Sequence, residues 1–266
     1  MKTIDIGYCQ SFFHKGSVCY HWSGLIPDEI RGNILLVDDG WTPSCFSQWL
    51  SHTESGLSYT GSIIEMMNEE GYDVYAMDRC VVHHLDNLES LARRIGVDIF
   101  MGYSMGGVMI LRLVQIMTEM APTARIILLS PFLPIRADGS VSVFTLFNRL
   151  FRMREFFSIL WHLSDIRKQL QALDTLRLER PILVIHGIYD PITLWRDVIT
   201  FFERVRPVTA RSEMIYLSAS GNPFLESESR EGVMRIIMGW IQKTNPVIIR
   251  ENESQSSDGE EPFILL

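Results

Sequence analysis

No stretch of about 18 or more uncharged apolar residues occurs in the chain, so no helix is expected to span a membrane. Positive charge is not in excess either. Twenty-four Lys and Arg stand against 32 Asp and Glu, a net charge of −8 over 266 residues. Phosphate binding needs a basic face, so nucleic acid is not an expected partner. Residues 1–11 hold no basic segment ahead of an apolar one, so no secretory leader is read there and a cytoplasmic location is expected. Cysteine is scarce: Cys9, Cys19, Cys45 and Cys80 form no C-x-x-C pair, and none sits beside a histidine at ligand spacing. That pattern argues against a disulfide framework or a structural metal, and isolated thiols suit a reducing compartment. No metal and no cofactor is expected. Cys45 and Cys80 follow strand-like runs and could line a pocket. No internal repeat is visible. A last absence is local: of His14, His21, His52, His83, His84, His162 and His186, none lies in the final 80 residues.

What is present reads as one large α/β unit. Hydrophobic residues make up 47% of the chain and charged residues 21%, enough to bury a sizeable core. Apolar runs of strand length alternate with stretches of helical period, the pattern of a mainly parallel central sheet with helices on both faces. Strands are expected at 33–38, 73–78, 98–103, 124–132, 181–187 and 212–219. Helices are expected at 59–70, 85–95, 105–120, 194–205 and 225–243, with Gly71 and Gly96 as C-caps of the first two. Residues 3–22 read as an antiparallel pair at the sheet edge. After Pro131 and Pro134 the alternation breaks into a helical, aromatic-rich stretch over 136–179. The expected organisation is a core of 1–135 and 180–244, a helical lid of 136–179 and a disordered acidic tail of 245–266, too polar to bury itself.

Gly102-Tyr103-Ser104-Met105-Gly106-Gly107 fits G-x-S-x-G between a buried strand and a helix. A nucleophile raised on such a turn needs small neighbours, because its backbone is strained and closely packed. The helix that follows directs its N-terminal N–H groups at developing negative charge. On these residues the chain resembles the α/β-hydrolase family, over about residues 15 to 243. Three further segments match in order: Asp39-Gly40-Trp41-Thr42, the strand ending in Asp78, and His186-Gly187-Ile188-Tyr189-Asp190-Pro191. The resemblance implies Ser104 as nucleophile, Asp190 as the acid, and an oxyanion hole from the N–H groups of Trp41 and Met105.

The family's triad follows the order serine, acid, histidine. Where the histidine is expected, this sequence reads Ser218-Ala219-Ser220-Gly221-Asn222-Pro223, with Asn222 in its place. Asparagine can hold a hydrogen bond but cannot take or return a proton near neutral pH, and serine needs such a base. Two other departures accompany it. Cys80-Val81-Val82-His83-His84 replaces a glycine-rich loop, and Asp39 replaces a histidine before Gly40. His83 and His84 follow a strand and are candidates for an alternative base. His186 is expected to pack, and His14, His21 and His52 to lie at the surface.

The stretch 143–163 carries Phe144, Phe147 and Phe151 on one helical stripe, with Trp161 beyond. These side chains and Tyr103 are the candidate substrate pocket, though the stripe could equally pack the lid on the core. Arg149, Arg152 and Arg154 read as a solvated basic face. Three functions remain open. One is an enzyme acting on an ester, thioester or related carbonyl group of an apolar, acyl-type substrate, which a carrier could present. The second is a lyase or cyclase that forms no acyl-enzyme, and the third is a non-catalytic binder. Fold alone does not choose among them.

Overall fold

In the computed structural model the described residues are 9–15, 17–23, 31–37, 64, 66–77, 85–117, 124–133, 168–173, 176, 180–190, 194–205, 212–217 and 230–244. The apolar runs form one sheet of eight strands. In chain order they are β1 (Cys9–His14), β2 (Ser17–Trp22), β3 (Gly32–Val37), β4 (Tyr72–Met77), β5 (Ile99–Tyr103), β6 (Arg125–Leu129), β7 (Ile182–Gly187) and β8 (Glu213–Leu217). They lie in the order β1-β2-β4-β3-β5-β6-β7-β8. β2 runs antiparallel to both its neighbours, and every other pair is parallel. The helices are α1 (Leu85–Ile95), α2 (Met105–Ile116), α3 (Trp195–Val205) and α4 (Arg230–Thr244).

Alternation along the strands feeds two apolar layers. Leu35, Val37, Phe100, Ile126, Leu128, Ile182 and Val184 pack on one face with α1, α2 and α3. Ile34, Leu36, Ile99, Met101, Ile127, Leu129, Leu183 and Ile185 pack on the other with α4, Ile64 and Met67. A strand buried on both faces reads as a continuous apolar run, which is why these segments stand out in the sequence. Each fully buried Leu, Ile, Val or Phe contributes roughly 1.5–3 kcal/mol through loss of water contact. Arg125 is buried in β6, and its Nη1 donates to Ile241 O at 3.1 Å, tying β6 to α4. Gly71 (φ 85°) and Gly96 (φ 64°) take the left-handed conformation expected of C-caps.

Some boundaries differ from the sequence expectation for visible reasons. β6 stops at Leu129 because Ser130 turns to φ 42° and Pro131 has no N–H to continue the ladder. α2 ends at Ile116 and not at 120. There the buried Arg180 donates from Nη2 to Met117 O at 2.7 Å, taking up a carbonyl at the helix end. His14 and His21 were expected at the surface and are part-buried, His21 because β2 lies between two strands and His14 on the border strand β1. The His21 ring stacks on Tyr75 with centroids 4.3 Å apart, and its Nε2 donates to Asp73 Oδ2 at 3.2 Å. Nε2 of His14 is buried, and burial, then Arg94 and Lys15, holds its pKa below the usual value.

Within the range read as a lid, Leu170, Leu173 and Leu176 are buried in the α2 layer. Arg112 Nε donates to Gln169 Oε1 at 2.8 Å, and Gln115 Nε2 to Ala172 O at 3.1 Å. Apart from 168–173 and 176, residues 136–179 lie outside the described residues, as does the whole of 245–266. Among the described residues no helix is long and apolar enough to cross a membrane.

Candidate active site

β5 delivers Ser104 to the carboxyl edge of the sheet. Tyr103 is the last strand residue and Met105 the first of α2. Ser104 itself has φ 51° and ψ −118°, a conformation that costs a side-chain-bearing residue roughly 1–3 kcal/mol unless its surroundings impose it. They do. Its N–H donates to Leu129 O at 3.0 Å, and its carbonyl accepts from Gly107 N at 3.1 Å and Phe132 N at 2.9 Å. The turn is also close. A Cβ on Gly102 would lie 2.6 Å from Gly107 Cα, and one on Gly107 would lie 3.0 Å from Pro131 Cβ. These contacts are why glycine stands at 102, the first glycine of the motif, and at 107, just after its last.

Ser104 is part-buried, and its hydroxyl makes no capping hydrogen bond to α2. The first N–H groups of a helix have no partner inside it and carry the positive end of its dipole. Met105 N–H is one of these, while the Met105 side chain is buried in the core. The turn can therefore present a hydroxyl beside backbone donors, the arrangement that stabilises an oxyanion. Tyr103 is part-buried and packs on the α4 layer.

Asp190 comes from the exit of β7, two strands from β5, so roughly 10 Å across by ordinary strand spacing. After β7 the chain turns tightly. Ile188 N donates to Leu217 O and Asp190 N to Gly187 O, each at 3.2 Å. Asp190 is buried, and a buried carboxylate requires polar partners. His186 is fully buried within β7. Ser104, Tyr103 and Met105 thus lie at the end of β5 and Asp190 just past the end of β7, on the same edge of the sheet. Trp41, Asn222, His83, His84, Phe144, Phe147, Phe151 and Trp161 lie outside the described residues, as do Asp39, Cys45 and Cys80. Among the described residues no group of three His, Cys, Asp or Glu could hold a metal ion. Ser130, left-handed at the end of β6 between these two strand exits, was not singled out in the sequence. Its only sequence signal is a Ser-Pro step ending an apolar run.

No family profile and no curated protein matches the sequence. Solved structures do. A monoacylglycerol lipase of Paleococcus ferrophilus aligns at 15% identity with a TM-score of 0.61, covering 86% of this chain and 99% of that one. An esterase of Pyrococcus furiosus aligns at 17% identity and TM-score 0.60, covering 88% and 89%. The esterase domain of a Rhodothermus marinus protein aligns at 12% identity and TM-score 0.61, covering 88% and 97%. The chain has the α/β-hydrolase fold, in a sequence far diverged from these structures.

Proposed function

We propose that the protein is an α/β-hydrolase-like enzyme acting on an ester, thioester or related carbonyl group of a small apolar substrate. Ser104 is the reacting residue, and the N–H groups of Trp41 and Met105 form the oxyanion hole. Asp190 is the retained acid, and Asn222 occupies the histidine position. Tyr103 and the lid aromatics Phe144, Phe147, Phe151 and Trp161 line the acyl pocket. The observation that carries this reading is the imposed conformation of Ser104, φ 51° at the first turn of α2, which an ordinary strand-to-helix connection does not need. The esterase and lipase identities of the compared structures agree with it. In hydrolysis the Ser104 oxygen would attack the carbonyl carbon, and its proton must pass to a base before the acyl-enzyme forms. No histidine follows Asp190, so with water as that base the step is slow, and His83 or His84 are the candidates for an alternative base that would speed it.

That same absence favours a second reading, a lyase or cyclase. There the Ser104 hydroxyl and the oxyanion-hole N–H groups polarise a carbonyl, and no acyl-enzyme forms. Intact mass after a fluorophosphonate separates the two. Slow, single labelling that Ser104→Ala abolishes supports the acyl-enzyme route. Rapid stoichiometric labelling would show that another base has taken over. No labelling after prolonged exposure would leave the second reading or a non-catalytic binder.

A further inference from the structure

The exit of β6 carries two unfavourable features at one residue. Ser130 has φ 42°, and its Oγ is buried without a hydrogen-bond partner among the described residues. Glycine would avoid both, since it has no Cβ to strain and no hydroxyl to bury. What the conformation accomplishes is visible in the backbone. In a parallel ladder, a residue paired with position j donates to the carbonyl of j−1 and accepts from the N–H of j+1. Continuing the β5–β6 register past Tyr103 and Leu129 sets Ser104 beside Ser130. The first bond is regular, Ser104 N to Leu129 O at 3.0 Å. The second would come from residue 131, a proline with no N–H. The left-handed turn at Ser130 carries the chain past it, and Phe132 N donates to Ser104 O at 2.9 Å instead.

The same turn is tied on two other sides. Ser130 N donates to Ile185 O at 2.8 Å, on the strand that leads to Asp190. Pro131 lies against the first turn of α2, where a Cβ on Gly107 would be 3.0 Å from Pro131 Cβ. We propose that Ser130, through its left-handed backbone and the Pro131 that follows, is a positioning residue for Ser104. It keeps Phe132 N–H on the Ser104 carbonyl and sets the reactive turn in register with the β7 exit. The role belongs to the backbone at 130 and not to its hydroxyl. The inference builds on the reading of Ser104 as the reacting group, but its core claim concerns the backbone and has its own readout.

The test compares residues that tolerate a left-handed φ with residues that do not. Ser130→Gly and Ser130→Asn should label with a fluorophosphonate within about threefold of the wild-type rate, whereas β-branched Ser130→Val should slow labelling by about tenfold or more. In the same variants, amide hydrogen exchange at Phe132 should rise in the valine protein alone, with Ile126 to Leu128 unchanged. An unchanged labelling rate in folded Ser130→Val overturns the proposal, and so does equal slowing by glycine and valine, which would make the hydroxyl the active feature. If the wild-type protein is not labelled at all, the reading of Ser104 fails and exchange alone decides. Loss of Phe132 protection in valine but not glycine then supports the positioning role, and unchanged protection overturns it. If Ser130→Val does not fold, Ser130→Thr replaces it, because it keeps the hydroxyl and is β-branched. Slowed labelling or faster Phe132 exchange supports the proposal, and neither change overturns it.

Discussion

Ser104 and Gly102 show how closely one turn can dictate residue type. The serine is held at φ 51° by three backbone hydrogen bonds, and the chain crosses itself at Gly102 and Gly107. The obstacle to a side chain at 102 is backbone, so it cannot rotate away. Gly102→Ala should therefore destabilise the fold by about 1–3 kcal/mol, the scale of overpacking, read as a lower urea midpoint at unchanged slope. A midpoint within error of wild type would mean that the turn relaxes freely. This part of the site was legible in the sequence because glycine, serine and helix start are local signals a few residues apart. Ser130 was not legible, because a left-handed non-glycine residue has no pattern of its own beyond the proline after it. His14 and His21 were misjudged for a different reason. The exposure of His21 depends on which strands flank β2, a pairing between residues some 50 positions apart, and that of His14 on side chains from elsewhere in the chain, Arg94 among them.

At the scale of elements, β8 and α3 show how a strand at the sheet border is finished. β8 is the last strand of the sheet among the described residues, and all five of its residues are only part-buried. Beside it an open cavity of about 490 Å³ is lined by Ile199, Phe202, Glu203, Met214 and Tyr216. The Tyr216 ring meets Trp195 edge-on at 6.4 Å, and its hydroxyl donates to Met214 Sδ at 2.8 Å. Burial, then the charge of Glu203, pushes the Tyr216 phenol up to about 12. The unfolded phenol ionises near pH 10, so between about 10 and 12 the unfolded state loses a proton that the native state keeps. Stability must fall across that window and not below it. Measured against Tyr216→Phe by urea unfolding, the wild-type advantage should shrink from about pH 10 upward. A difference that stays flat to pH 12 would place the phenol in free solvent. The sequence predicted both elements, but their mutual packing is a contact across the border of the sheet that periodicity does not encode.

For the whole molecule, the positions of the strands and the mainly parallel character of the sheet were the most legible layer. Strands buried on both faces announce themselves as apolar runs, and short connections leave few ways to order them. The candidate site was legible only as an order of motifs, because its parts come from segments far apart in the chain. Ser104, Met105 and Asp190 are set by β5, α2 and β7, while Trp41, Asn222, Phe144, Phe147, Phe151 and Trp161 lie outside the described residues. Asn222→His tests whether residue 222 meets Ser104 and Asp190 as a hydrolase requires. The substitution restores a base at the position the resemblance assigns to it, opposite an acid that is still present as Asp190. If the edge keeps hydrolase geometry, turnover of a short p-nitrophenyl ester should rise by about 10²-fold or more, the scale of positioned general acid–base catalysis. The gain should vanish in the double variant with Ser104→Ala, since the new base has no other hydroxyl to activate. Two features oppose it: Pro223 restricts residue 222 toward extended backbone, and a charged Asp39 beside the oxyanion hole would disfavour an oxyanion. A folded Asn222→His protein with no gain would therefore count against hydrolysis as the native chemistry and for the lyase or binding reading. A gain that survives Ser104→Ala would show that the imidazole acts alone, and would remove the argument for Ser104 as the reacting residue.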